Sequence, residues 1–416
     1  MRKLVVMLLA AAHVGCATSR IPDLDRDVHR LMSAANVPGL AVAVIDHGEI
    51  VSARAFGYAD VSAKTPLRTD TILYAASLTK AAFAYLVMQL VDEGLIDLDA
   101  PVGRQLGKPL PEYADFADLA TDPRWQRFTP RMLLSHSSGL LNWRWINDDG
   151  KLDIKFEPGT RYVYSGEGIQ LMQLIVEERT GKALADLMQQ RVFDRFGMKN
   201  TSMVWRPDFD GRTAKHYAKD GKEIPHKRAR RARAAGSMDT TLDDYATFIA
   251  GILRGDGLSA KARREMLTPQ IVIVSPQQFP SHWPGETTVN RAINLSYGLG
   301  WGLFESTRGP AFFKEGHDDG TNNFALGFVR SRSGILLLSN SARAESIFYP
   351  LLTSIYGETC LPWFWLSYIP HDRPELRDIK RRETPLAPCG RSSSALPRCT
   401  TPPLCTDLWT SSTSPQ

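Results

Sequence analysis

The long middle of the sequence contains no cysteine. The five cysteines lie near the two ends of the chain, at Cys16, Cys360, Cys389, Cys399 and Cys405. A disulfide framework or a cysteine metal cluster therefore cannot hold the core together. An excess of one charge is also missing, because 50 Lys and Arg stand against 45 Asp and Glu. So small an imbalance gives nucleic-acid binding no support.

Several motifs of well-known enzyme classes are missing as well. The chain has no HExxH, CxxC, GxGxxG, Walker loop or GxSxG. These absences argue against zinc peptidases, dithiol oxidoreductases, dinucleotide-binding enzymes, nucleoside triphosphatases and ordinary α/β-hydrolases. The nine histidines are scattered without the spacing of metal ligands. We expect neither a metal nor an organic cofactor.

The composition that remains is that of a large globular protein. Apolar residues make up 43% of the 416 residues and charged residues 23%, which is ample material for a sizeable core. Residues 39–60 are typical of a β-hairpin that turns at His47-Gly48, and residues 323–329 and 334–339 are typical of a second strand pair. Helical patterns lie between them, at 77–93, 169–178 and 242–253. We therefore expect an α/β (α+β) sandwich whose sheet is assembled from the two chain ends.

The start of the chain is typical of an export signal. Two basic residues precede the apolar run 4–12, and small residues follow, so we assign residues 1–20 to a signal peptide. Gly15-Cys16 also resembles a lipoprotein processing site, which leaves lipidation of Cys16 and plain cleavage as open alternatives. We expect an exported protein of the bacterial periplasm or cell envelope, attached to the membrane if Cys16 is lipidated.

The other end of the chain has two distinct parts. Residues 361–370 (LPWFWLSYIP) are rich in aromatic side chains. We expect an extension over 359–383 to dock on the body of its own domain rather than at a membrane interface. Ser, Thr and Pro supply 18 of the 33 residues in 384–416. Such a segment cannot bury enough apolar surface to stay ordered, so we expect a disordered tail.

One short motif carries candidate chemistry. Ser77-Leu78-Thr79-Lys80 is the one SxxK in the chain, and it opens an apolar helix that Gly94 ends. The three-residue spacing puts Ser77 and Lys80 on one helix face, so the ammonium can reach the hydroxyl. A helix N-terminus also favours developing negative charge, and both effects activate a serine as a nucleophile. The simpler interpretation is that Ser77 only caps the helix.

A second segment favours the catalytic interpretation. Tyr164-Ser165-Gly166 stands just before another apolar helix. With both segments, the sequence resembles the penicillin-recognising serine hydrolases of the class C β-lactamase type, a group that includes family VIII esterases, D-aminopeptidases and D-Ala-D-Ala carboxypeptidases. Further matching stretches are PGLAVAVIDHGEIV, FTPRMLLSHSSGL, VFDRFGMKNTSM, SYGLGWGL and the run from Gly316 to Phe324. The resemblance covers residues 21–358.

The resemblance implies a β-lactamase/transpeptidase-like fold in two parts. An antiparallel sheet flanked by helices would occupy about residues 21–95 and 240–358. An all-helical part would occupy about residues 96–239, with the active site between the two.

The resemblance also implies a role for each matching residue. Ser77 would be the acylated nucleophile, Lys80 would lower the cost of forming its alkoxide, and Tyr164 would shuttle the proton. His317 falls where the family has Lys or His in its third motif. The backbone N–H groups of Ser77 and Gly320 would form the oxyanion hole.

The sequence departs from the family pattern at two motifs. The tyrosine motif usually ends in Asn, so Gly166 predicts looser substrate positioning. The third motif usually continues with Thr or Ser and Gly, but here His317 is followed by Asp318 and Asp319, which oppose a substrate carboxylate. Lys314 offers an alternative Lys-x-Gly register three residues earlier. We prefer His317 on the sequence alone.

These charges favour a neutral ester, or an amide with an ammonium group, over a β-lactam. We therefore expect a serine hydrolase of the esterase or D-amino-acid peptidase type that acts on a small-molecule or peptide substrate. The alternatives are a D-Ala-D-Ala carboxypeptidase with weak β-lactamase activity and a catalytically silent envelope protein that binds peptides or a partner.

Three further features have simpler interpretations. We expect the basic run 226–233 (HKRARRAR) to be a solvated loop near the pocket. His136 could be taken for a base, but the resemblance places it at a helix-to-loop junction of the family, which favours a structural, hydrogen-bonding role. Trp143 and Trp145 are equally suited to line a cleft or to pack in the core.

Overall fold

The computed structural model of the protein describes residues 23–280, 282 and 285–374. The expected signal peptide with Cys16, the end of the expected extension at 375–383 and the expected tail at 384–416 lie outside the described residues. Within the described ranges, no helix combines the length and the apolar character that a membrane crossing requires.

A nine-stranded antiparallel sheet forms the centre of the described structure, in the strand order β3-β2-β1-β13-β12-β11-β10-β9-β8. In chain order the strands are β1 (Gly39–Asp46), β2 (Glu49–Asp60), β3 (Thr65–Pro66), β4 (Leu73–Tyr74), β5 (His216–Tyr217), β6 (Glu223–Ile224), β7 (Asp239–Thr240), β8 (Ile271–Val272), β9 (Ser296–Tyr297), β10 (Gly302–Ser306), β11 (Gly309–Asp318), β12 (Thr321–Phe328) and β13 (Ser333–Ser339). Strand β1 pairs with β13, with Leu40 opposite Ser339. The prediction that the two chain ends assemble one sheet is confirmed.

The predicted hairpin and the three predicted helices are also confirmed. His47 and Gly48 turn the hairpin with positive φ angles of 52° and 83°, which suits a tight turn between twisted strands. The helices are α1 (Leu24–Ala35), α2 (Leu78–Asp92), α3 (Pro130–Leu134), α4 (Gly166–Thr180), α5 (Leu184–Met188), α6 (Asp194–Phe196), α7 (Leu242–Arg254), α8 (Ala260–Met266) and α9 (Phe348–Tyr356).

Alternate residues of the sheet face two different apolar layers. Ala41, Ala43 and Leu338 pack with helices α2 and α7, whereas Val42 and Leu337 pack with α1 and α9 on the opposite face. This alternation follows from the period of two in a strand. Helix α2 is therefore buried at the centre of one layer, which fixes the position of the residues at its N-terminus.

The middle of the chain is less helical than expected. Residues 96–239 contain helices α3 to α6, several short 3₁₀ helices and the small strand pair β5-β6. The pair turns through Asp220-Gly221, where Gly221 has a φ of 89°. Asp-Gly is a common hairpin turn, so this sequence signal was present but overlooked.

The aromatic part of the C-terminal extension lies against the body of the protein. Trp365 and Tyr368 are almost fully buried. The indole N–H of Trp365 donates to the hydroxyl of Ser275 at 3.1 Å, and the Tyr368 hydroxyl donates to the carbonyl of Ser346 at 2.7 Å. The extension thus stabilises the segment around residues 275–279, which reaches the candidate site.

Candidate active site

Ser77 lies at the N-terminus of the buried helix α2. It is partly exposed, whereas the three residues that follow it are buried. Its side chain makes no capping hydrogen bond to the helix. Ala76, directly before it, has a φ of 48°, an uncommon left-handed conformation for a residue with a side chain. The hydroxyl of Ser77 is therefore presented to the site rather than used as a helix cap.

Lys80 lies one helical turn further along, as the SxxK spacing predicts. Its Nζ is 3.0 Å from the Ser77 hydroxyl oxygen and 2.5 Å from the carbonyl oxygen of Ala235. The side chain is almost fully buried, and burial lowers the pKa of Lys80. A buried ammonium with a lowered pKa exchanges protons more readily than an exposed lysine does.

The phenol of Tyr164 is buried between two ammonium groups. Lys314 Nζ lies 3.2 Å from the Tyr164 hydroxyl oxygen, and Lys80 Nζ lies 5.0 Å from the centre of the Tyr164 ring. Burial alone would raise the pKa of Tyr164. The positive charges of Lys314 and Lys80 outweigh it, so the pKa lies below its usual value. The arrangement favours a phenolate that can accept a proton.

Strand β11 supplies the second cation beside Tyr164. Of the two candidates for the third motif, Lys314 lies there and His317 does not. Residues three apart on a strand face opposite sides of a sheet. The imidazole of His317 consequently lies beside Glu345, with 3.4 Å between Nε2 and the carboxylate. The sequence-based preference for His317 thus does not match the geometry, and the Lys314-x-Gly316 register does.

Gly316 allows strand β11 to approach the start of helix α2. A side chain at this position would come within 2.6 Å of the Ala75 carbonyl oxygen and 3.3 Å of the Leu78 backbone nitrogen. Gly320, the glycine expected at the oxyanion hole, instead lies in the β11-β12 turn and packs against His216.

The backbone N–H of His317 faces away from β12. Asp318 and Thr321 form the pair that closes the hairpin, so the next pair, His317 and Asn322, does not exchange hydrogen bonds across it. Strand β10 ends its pairing with β11 at Phe313. Among the strands that the structure describes, none therefore pairs with the edge of β11 at His317 on the side of α2.

A chain of buried contacts joins Tyr164 to the C-terminal extension. Lys314 Nζ lies 2.9 Å from a carboxylate oxygen of Glu315, and the Gln278 side-chain amide donates to the same oxygen at 2.6 Å. The backbone N–H of Gln278 donates to the carbonyl of Trp365 at 2.8 Å. Burial alone would raise the pKa of Glu315, but the charge of Lys314 outweighs it and the pKa is lowered. Sequence reasoning missed Glu315 and Gln278.

The two aspartates after His317 occupy different environments. Asp318 forms an ion pair with Lys227, the second residue of the basic run 226–233. Asp319 is exposed in the turn. A residue of the basic run therefore compensates one of the two charges of the expected acidic wall. The rest of that run is mostly exposed, although His226 is partly buried, with 3.0 Å between its Nε2 and a carboxylate oxygen of Asp239.

His136 and Gly166 lie next to Tyr164 without facing solvent. The backbone N–H of Ser165 donates to His136 Nδ1 at 3.2 Å, and the His136 ring centre is 4.6 Å from that of Tyr164. Burial holds the pKa of His136 well below its usual value, so the ring is neutral at neutral pH. This agrees with the expected structural role. Gly166 is the first residue of α4.

The part of the chain that the structure describes contains no group of three or more His, Cys, Asp and Glu side chains placed to hold a metal ion.

The part of the chain that carries the site matches a known protein family. Residues 24–348 match the model of the Beta-lactamase family. The esterase EstB of Burkholderia gladioli is 31% identical over 242 residues, which cover 50% of this chain and 60% of EstB. A D-aminopeptidase of Gluconobacter oxydans is 29% identical over 189 residues, which cover 44% of this chain and 35% of that enzyme. The chain thus spans only part of the length of these relatives.

A solved structure supports the same fold. The D-alanine carboxypeptidase AmpC from Burkholderia cenocepacia superposes with a TM-score of 0.65 at 19% identity, covering 80% of this chain and 99% of that one. At this identity the similarity concerns the fold.

Proposed function

Because the chain belongs to the Beta-lactamase family, we propose that it is a serine hydrolase that forms an acyl-enzyme at Ser77. The observation that carries this proposal is the phenol of Tyr164, buried between the ammonium groups of Lys80 and Lys314. A phenol with an ordinary pKa near 10 is a poor base at neutral pH, whereas one beside two positive charges is not.

The residues of the site account for both halves of the reaction. The Tyr164 phenolate takes the proton of Ser77 while the serine oxygen attacks the substrate carbonyl carbon, whose π electrons move to oxygen. The backbone N–H groups of Ser77 and His317 stabilise the resulting oxyanion. Tyr164 then gives its proton to the leaving alcohol or amine as the bond to it breaks. In the second half, Tyr164 takes a proton from water as the water oxygen attacks the acyl carbonyl carbon. Tyr164 then gives this proton to the Ser77 oxygen as the acyl bond breaks, which releases the acid.

The proposed substrate is an ester or amide without a carboxylate beside the reacting carbonyl. In the Lys314-x-Gly316 register, Glu315 occupies the position where the family usually has Thr or Ser. Its buried carboxylate is engaged by Lys314 and Gln278, so this position provides no hydroxyl donor for a substrate carboxylate. The ion pair of Asp318 with Lys227 weakens the case for an ammonium-bearing substrate. An esterase is therefore preferred over a D-aminopeptidase.

A comparison of three substrate classes tests this preference. We expect kcat/KM to be higher for p-nitrophenyl acetate than for a D-alanyl anilide or a chromogenic cephalosporin. The control is the Ser77→Ala variant, which corrects for spontaneous hydrolysis of the activated ester. A cephalosporin turned over faster than the ester would contradict the proposed substrate class.

We also propose that the protein is exported to the bacterial periplasm or cell envelope. The support is the basic start and the apolar run 4–12, followed by Gly15-Cys16. Intact-mass analysis of protein expressed with its own leader tests this. A chain that begins at a lipidated Cys16 supports membrane anchoring, a plainly cleaved chain supports a free exported protein, and an uncleaved chain contradicts export.

A further inference from the structure

The space next to Gly166 is filled by an aromatic side chain from another segment. A side chain at Gly166 would lie 2.8 Å from Cη2 and 2.9 Å from Cζ3 of Trp143, and 2.6 Å from the Asn142 carbonyl oxygen. Contacts shorter than 3 Å are not tolerated between packed carbon atoms. Gly166, two residues after Tyr164, is the position at which the family usually has Asn. The indole of Trp143 thus occupies the space that the Asn side chain would need.

Trp143 is one half of a stacked pair. Its ring is parallel to that of Trp145, with 5.0 Å between the ring centres and 10° between the planes. Trp145 is 66% exposed and its neighbour Ile146 is 47% exposed. A pair of indoles that is packed at one end and open to solvent at the other presents a flat apolar face beside the site.

An ion pair with a buried carboxylate holds this segment in place. Arg144, between the two tryptophans, donates through Nε and Nη2 to the two carboxylate oxygens of Glu167 at 3.0 and 2.9 Å. The backbone N–H of Arg144 donates to Glu167 as well, at 3.0 Å. Glu167 belongs to the first turn of α4, three residues after Tyr164, and only 5% of it is exposed. A two-point ion pair of this kind fixes orientation as well as position, so the segment that carries the two tryptophans is fixed to the first turn of α4.

Arg144 lies between the two tryptophans in the chain, but its guanidinium is engaged by Glu167. It therefore adds no uncompensated charge next to the stacked indoles. On the Tyr164 ring itself lies another partly exposed aromatic side chain, Phe279, whose ring centre is 5.5 Å away. Aromatic side chains from two separate chain segments thus border this part of the site, Phe279 at Tyr164 and Trp143 at Gly166. An apolar or aromatic group gains most from such a border, whereas a charged group would lose its hydration without a partner.

We propose that Trp143 and Trp145 form a subsite for an uncharged aromatic or broad apolar group of the substrate. The proposal rests on the proposed serine hydrolase function and narrows its substrate class. Trp143 acts there as a specificity-determining residue, in place of the hydrogen-bonding amide of related sequences.

The test compares matched esters in the wild type and the Trp143→Ala variant. One arm varies the acyl group, with p-nitrophenyl acetate and p-nitrophenyl phenylacetate. The other arm varies the leaving group, with ethyl acetate and benzyl acetate. We expect the ratio of kcat/KM for the aromatic ester over the small ester to fall roughly 10- to 100-fold in one arm, which identifies the group that the subsite binds.

Two further variants separate a subsite from a merely structural role. Trp143→Phe keeps an aromatic face and is expected to retain most of the selectivity. Val51→Ala, on the exposed side of β2, is expected to leave all ratios unchanged. An equal loss on all four esters, or no change of either ratio, would overturn the subsite while leaving the hydrolase intact. A wild-type protein that hydrolyses no ester and does not react with a fluorophosphonate would instead overturn the proposed function.

Discussion

Replacing Ser77 by Ala is expected to lower kcat/KM for ester hydrolysis by about 10⁴-fold or more, because no other group of the site can form the acyl-enzyme. The stability of the protein should change little, since the Ser77 side chain makes no capping hydrogen bond to α2. Steady-state kinetics and thermal unfolding of the same preparations measure the two quantities.

A second serine provides the matched control. Ser259 caps helix α8, where its hydroxyl oxygen accepts from the Ala262 N–H at 3.0 Å and its proton goes to Asp92. Ser259→Ala should therefore cost about 1 kcal/mol of stability with no loss of kcat/KM. If folded Ser77→Ala retained the esterase activity of the wild type, Ser77 would not be the nucleophile.

Replacing Lys314 by Met is expected to move the pH dependence of the reaction to higher pH. Lys314 lowers the pKa of Tyr164 more than any other charge, and its removal also leaves the negative charge of Glu315 uncompensated. Both changes raise the pKa of Tyr164, so less phenolate is present at neutral pH. The rate at pH 7 is expected to fall by about tenfold or more and to recover as the pH rises.

The measurement is kcat/KM against pH for wild type and variant, with circular dichroism to confirm folding. Lys227→Met serves as the control, because it removes a lysine that pairs with Asp318 on the surface rather than with Tyr164. The pH at which kcat/KM rises should be the same in Lys227→Met as in the wild type. An unshifted rise in Lys314→Met would show that the titrating base is not Tyr164 beside this lysine.

The parts of the fold and site that follow from short-range patterns were predictable from the sequence. The hairpin at His47-Gly48 and helix α2 both depend on residues close in the chain. The contact of Lys80 with Ser77 follows from helical spacing alone. Tyr164 required a resemblance to a known family, because its partner Lys314 is 150 residues away in the chain.

The features that were missed depend on long-range register and packing. His317 and Lys314 both fit the third motif by spacing, and only the pairing of β11 decides which of them faces Tyr164. The charge of Asp318 is compensated by Lys227 only because the basic run lies beside the β11-β12 turn, which is a long-range contact. The link from Trp365 through Gln278 to Glu315 joins segments far apart in the chain, for which the sequence has no local signal. Likewise, Gly166 alone predicted loose positioning, whereas Trp143 fills the space.

Intact-mass spectrometry of the folded protein before and after a fluorophosphonate tests the central claim most directly. A serine activated by Lys80 and Tyr164 should take up a single adduct, which peptide mapping locates on Ser77 and which Ser77→Ala abolishes. No adduct on folded wild-type protein, or an adduct on another residue, would contradict the account.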